Sequence, residues 1–307
     1  MVDGRDCLLF LGFVLLCSCA ASHSKVGSAA RLTSADRKAR VLDARRHLDL
    51  LSSPRDPSVH LPDQSMRISA SALATIDHRP STISSSVSLL EPLLREGNDD
   101  YWSRQAVELV AGMEEALAGK GVSAAGMLLT YYSNDPRAPL ASHLLFHGAR
   151  LMAGTGQDKD RRLALYLLLT LIDEHSPSPL WDDAVWLAAD ICRDLGYRGD
   201  ETRILETALL PHPGWGSDAL SGRFVQKVRY RLARLYERQG RADKALREYA
   251  LVINFHDGLA LKDDALWRIA VVHGSRGEST LERKALMLLV DECPWSRHAP
   301  KAKERLR

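Results

Sequence analysis

Residues 164–196 read ALYLLLTLIDEHSPSPLWDDAVWLAADICRDLG, and residues 245–277 read ALREYALVINFHDGLALKDDALWRIAVVHGSRG. A shift of 81 residues lays the first stretch on the second with eleven of 33 positions identical. Asp182-Asp183-Ala184 falls on Asp263-Asp264-Ala265, Trp186 on Trp267, Ala189 on Ala270 and Gly196 on Gly277. In both stretches a small residue precedes a glycine by seven positions. The same pair recurs outside them: Gly112 with Gly119, Ala149 with Gly156, and Ala233 with Gly240. A small residue is needed where two helices cross closely. The glycine closes the first helix, because it adopts the left-handed conformation at least cost. In three units an alanine on the second helix, Ala164, Ala245 or Ala285, supplies the other side of that contact.

From Ala149 onwards the small residues are 40, 44 and 37 apart, a period that points to stacked helical hairpins. Composition agrees. Leu and Ala dominate the 307 residues, 45% of the chain is hydrophobic, and aromatic residues make up only 6%. The expected fold is all-α: a right-handed superhelix of antiparallel hairpins.

The unit at 226–259 carries Leu232-Ala233, Tyr236, Gly240, Ala245, Tyr249 and Val252 at fixed places, and in them it resembles a tetratricopeptide repeat. The repeat's usual terminal proline is Asp257 here. Units around Ala149, Ala189 and Ala270 follow the pattern more loosely. The phrases SPSPLWDDA at 176–184 and PWSRHA at 294–299 are similar to those of extracytoplasmic repeat proteins of bacterial envelopes, among them the outer-membrane β-barrel assembly lipoprotein and the Tol-associated cell-division coordinator. That resemblance implies a lipoprotein whose concave repeat surface binds other envelope proteins or peptides.

In the family the residue three before each small one tends to face the groove; here it is Phe146, Trp186, Tyr230 and Trp267. Rings there would grip a peptide with large contact area and little entropy loss. They would equally fill the space between hairpins. One turn on stand Arg150, Asp190, Arg234 and Val271, then Arg193, Glu237 and Arg238, a mixed-charge stripe that reads either as recognition groups or as a solvated face.

The amino terminus reads as an address. Residues 7–17 (CLLFLGFVLLC) suit a signal-peptide core and are too short to span a bilayer. Leu16-Cys17-Ser18-Cys19 resembles a lipobox, which makes Cys19 the lipidated first residue of the mature chain. Ala20, in place of a retention aspartate, points to the outer membrane. The basic n-region is thin, with Arg5 alone between Asp3 and Asp6.

The expected organisation is a leader at 1–18, a largely disordered basic spacer at 19–85, and the repeat domain at 86–307. Eight Lys or Arg and four Asp lie between residues 20 and 60, whereas residues 61–307 hold 32 basic and 33 acidic groups. Residues 34–51 suit one helix with a thin stripe of Ala35, Leu42 and Leu48. Residues 52–63 and 79–86 read as linkers, with Ser84, Ser85 and Ser86 placed to cap the helix that follows.

Other classes fare less well. A net charge of +2 marks no nucleic-acid binder. No GxSxG, HExxH, P-loop or GxGxxG motif is present, so the reading is a non-enzyme without cofactor or metal. A surface adhesin for host matrix or polysaccharide, and an accessory array for a peptidoglycan enzyme, are the alternatives. His143 and His147 lie four apart, a spacing read as packing rather than metal binding. His175 and His256 share a place in the 81-residue match, which suggests a capping or inter-repeat hydrogen bond. Cys192 is expected to be a buried hydrophobe, unbonded to Cys293.

Overall fold

A computed structural model describes residues 32–52, 80–114, 117, 123–210, 222–254 and 261–307. The described residues form thirteen helices and no strand. They divide into two compact units, Met1–His175 and Ser176–Arg307.

In the first unit, α1 (Ser34–Ser52) packs on α2 (Pro80–Glu96) and α3 (Tyr101–Gly112). Helix α4 (Ala124–Asn134) packs on α5 (Ala141–Gly154), which also meets α3 and α6 (Asp158–Glu174). Leu90, Leu93, Val107, Val110, Met113, Leu128, Leu140 and Leu144 form one aliphatic core, with Val41 and Ala44 of α1 inside it.

The helix expected at 34–51 forms as α1, but it packs on α2 and α3 rather than standing in a loose spacer. Its inner side is Arg37, Val41 and Ala44 rather than Ala35, which is exposed. Arg37, only 6% exposed, pairs with Glu96 and Asp100 and donates through Nε to the Leu32 carbonyl at 3.2 Å. Asp100 also caps α3, its Oδ1 accepting from the Trp102 and Ser103 amides at 2.9 and 3.0 Å. The arginine therefore fastens α1 to a helix cap, and local apolar patterning gives no sign of it. The linker expected at 79–86 is also corrected. Helix α2 already begins at Pro80, and Ser86 is fully buried within it rather than capping its start.

In the second unit, α7 (Trp181–Asp194) pairs with α8 (Arg198–Ala208), α9 (Gly222–Arg238) with α10 (Ala242–Ile253), and α11 (Lys262–Ser275) with α12 (Ser279–Glu292). Helix α13 (Ala299–Leu306) lies on α12. The spacing of seven is explained by two features. Ala149, Ala189, Ala233 and Ala270 are all fully buried, as are Ala164 and Ala245 opposite. Gly156, Gly196, Gly240 and Gly277 have φ of 77°, 76°, 72° and 74°, with open space where a Cβ would stand. Backbone conformation alone demands glycine there.

The last three of these turns close identically. The glycine amide donates to the carbonyl three residues back (Arg193, Glu237 or Gly274). The next amide donates five back, Tyr197 to Cys192 at 2.7 Å, Arg241 to Tyr236 at 2.8 Å and Glu278 to His273 at 3.0 Å. This pair of bonds satisfies carbonyls the helix end would leave bare.

Residues 1–18 with the proposed lipid attachment at Cys19, and also Gly119, His256 and Asp257, lie outside the described residues. No helix among the described residues is long and apolar enough to cross a membrane.

Candidate partner-binding surface

Helices α7, α9 and α11 each carry one aromatic of the series, and each ring is half-buried: Trp186, Tyr230 and Trp267. The ring of Trp186 lies under the Arg231 guanidinium, 4.9 Å from its centroid. Trp267 stacks on His298 at 5.1 Å with an interplanar angle of 5°, and Arg305 of α13 sits 5.7 Å from the same ring. Tyr230 meets Tyr249 of α10 edge-on at 5.7 Å. These rings fill space between helices and keep part of their faces open. Phe146 departs from the groove expectation: it is buried and lies edge-on to His147. It is a core residue of the first unit.

The polar stripe divides as well. Asp190 and Glu237 are committed to seams between hairpins. Arg231 Nη1 reaches Asp190 at 2.7 Å, and its Nε donates to Glu201 of α8 at 2.9 Å. One cation from α9 thus holds both helices of the preceding hairpin. Glu237 accepts from Arg268 of α11, through Nε at 3.0 Å, and from the Tyr249 hydroxyl at 2.9 Å. Asp264 accepts from Arg297 at 2.9 Å and His298 at 2.7 Å, and Asp263 from Ser296 at 2.7 Å. Arg231 and Arg268 were not singled out from the sequence, although each directly follows an aromatic of the series.

Arg193 is exposed and leans on Asp190 at 2.9 Å. Arg150, in the first unit, is exposed and lies 3.2 Å from His147 Nδ1. Arg234 is half-buried and Arg238 exposed, and neither makes an ion pair among the described residues. Burial, and then the neighbouring Arg234 charge, lowers the pKa of Arg268 below the usual arginine value. Burial first, then Asp264, raises that of Tyr230. Around Tyr230 the charges are Asp264 against Arg234, Arg268 and Arg297, of which Arg268 and Arg297 are ion-paired, so Arg234 leaves one cation over, with hydroxyl and ring groups beside it. This surface is suited to hold an extended segment carrying an acidic side chain.

His143 and His147 are both buried and stack at 6.4 Å. His143 Nε2 is 3.6 Å from Asp99. Burial, followed by Arg150, pushes the pKa of His147 down to about 3. No group of three His, Cys, Asp or Glu among the described residues is placed to hold a metal ion. His175 ends α6 through its amide to Leu171 at 3.1 Å. That amide bond is a capping bond of the expected kind, made by the backbone, while the buried Nε2 makes no hydrogen bond among the described residues. Cys192 and Cys293 are both buried free thiols, and burial pushes the former up to about 12.

The chain matches no protein-family model, and no curated protein matches it in sequence.

Proposed function

We propose that this chain is a lipid-anchored tetratricopeptide-type scaffold of the bacterial cell envelope, held through Cys19 and suited to holding another envelope protein. In this reading the hairpins coil into a right-handed superhelix. The first helices line its concave face, and the anchor sets the chain on the periplasmic side of the outer membrane. The observation that carries the binding role is that Arg234 and Arg238, on the same helix as the half-buried Tyr230, make no ion pair among the described residues, while Trp186 and Trp267 stand half-buried on the neighbouring first helices. Ion pairs between hairpins hold those rings in place, so a bound segment meets a preorganised surface.

A photoreactive residue placed at Arg238 in intact cells tests this. It is expected to crosslink one envelope protein, whereas the same residue at exposed Arg247 on α10 is not. Equal crosslinking at the two places, or none, overturns the reading. Radiolabelled fatty acid tests the anchor separately: Cys19→Ser should abolish the label.

A further inference from the structure

Eight large hydrophobic side chains stand exposed among the described residues, and four of them fall between residues 281 and 295: Leu281, Met287, Leu288 and Trp295. Helical spacing puts Leu281, Lys284 and Leu288 in one row, with Arg283 and Met287 beside it. The opposite side of α12, Ala285, Leu286 and Leu289, is buried in the second unit's core. The outer side is therefore apolar without being needed for folding. Trp295, the most exposed of the eight at 67%, follows the helix end directly.

The charges around this surface decide what it fits. Residues 279–307 hold seven Lys or Arg against four Asp or Glu. Glu282 is already paired with Arg305, and Glu292 with Lys262. Among the described residues Lys284 makes no ion pair, and Arg283 donates to the Leu306 carbonyl at 3.0 Å without an acidic partner. Asp291 is the exposed acid left on that side of α12. Leucine, methionine and tryptophan interleaved with basic groups that lack an acidic partner among the described residues match a bilayer interface. The apolar groups enter the acyl boundary, the indole sits at headgroup depth and the cations meet anionic lipid.

We propose that the outer face of α12, with Trp295, docks on an anionic lipid surface. It lies on a second helix of its hairpin and so is distinct from the first-helix surface. The contact would orient the second unit against the membrane.

The test uses the full chain and vesicles of phosphatidylcholine with about 30% phosphatidylglycerol, brominated in the acyl chains. The readout is the fluorescence quenching lost in Trp295→Phe relative to wild type, which isolates one indole from the others. A chain held only by its amino terminus leaves Trp295 unquenched and so overturns the proposal. The expected result is quenching specific to Trp295 that falls several-fold in pure phosphatidylcholine and in Arg283→Glu/Lys284→Glu. Met287→Ser/Leu288→Ser should abolish it while helicity and thermal midpoint stay unchanged, since both side chains are exposed. Equal quenching in neutral vesicles overturns it. So does a Trp295 signal that shifts with protein concentration before lipid is added, which would assign the face to a second copy of the chain.

Discussion

In the first unit, α2 to α5 meet through long aliphatic side chains, Leu90, Leu93, Leu128 and Leu144 among them, and the Arg37 ion pairs fasten α1 beside them. In the second, the hairpins are joined by buried or half-buried ion pairs, with Arg231 to Asp190 and Glu201, and Arg268 to Glu237. The first kind of contact is non-directional and tolerates many registers. The second works only when each charge finds its counterpart. The seams share no single register, since Arg231 meets Asp190 across 41 residues and Arg268 meets Glu237 across 31. The clear repeat at 245–277 therefore rests on its buried alanines and left-handed glycine.

The sharpest way to break that comparison is Arg231→Met. Arg231 is 11% exposed in its side chain and Glu201 only 3%, so the substitution strands a buried carboxylate. Denaturant unfolding of the second unit should lose about 3–5 kcal/mol, and adding Glu201→Gln should restore much of it. A loss below about 1 kcal/mol would make the seam incidental.

Acid should move the two units in opposite directions. His147 has its pKa lowered to about 3 in the folded first unit, chiefly by burial. Between that value and the ordinary 6.5 the unfolded chain binds more protons. Stability of this unit is thus intact above 6.5 and falls by about 1.4 kcal/mol per pH unit below it. In the second unit, burial and then Asp183 raise Asp182 to about 6. Here the folded state binds more protons between 6 and 3.8, so its stability rises as pH falls through that window. Hydrogen exchange at pH 7 and pH 5, corrected for intrinsic rate, should show the first unit opening more readily at the lower pH and α7 less readily. Parallel changes in both would refute the assignment.

The sequence makes some of this legible and hides the rest for a definite reason. The buried alanines and left-handed glycines were readable because each place admits almost one residue type, so their spacing survives. Trp186 and Trp267 were readable as a recurring pair, and both prove to lie under an arginine from a later helix. The arginines were not, because Arg231 meets Asp190 across 41 residues and Arg268 meets Glu237 across 31. The docking of α1, though not the helix itself, was missed for the same reason. Arg37 reads as one more charge in a basic stretch until Glu96 and Asp100 are brought to it.

The close crossings give a smaller effect. Ala233→Leu would force added bulk between α9 and α10, where Ala233 and Ala245 are both fully buried. A loss of about 1–3 kcal/mol is expected from overpacking, read as a lowered urea midpoint with unchanged slope. An unaltered midpoint would mean that the helices can separate there at no cost.

The smallest effect separates conformation from space. Gly240 and Gly199 both have nothing within 4 Å of a built Cβ, but only Gly240 has a positive φ, +72°. Gly240→Ala should therefore cost about 1 kcal/mol through backbone strain alone. Gly199→Ala, inside α8, removes a flexible residue from a helix and should stabilise by up to about 1 kcal/mol. The two substitutions add the same methyl group to the same kind of open surface. If their midpoints shift in the same direction, the left-handed turn is not what fixes glycine seven residues after each buried alanine.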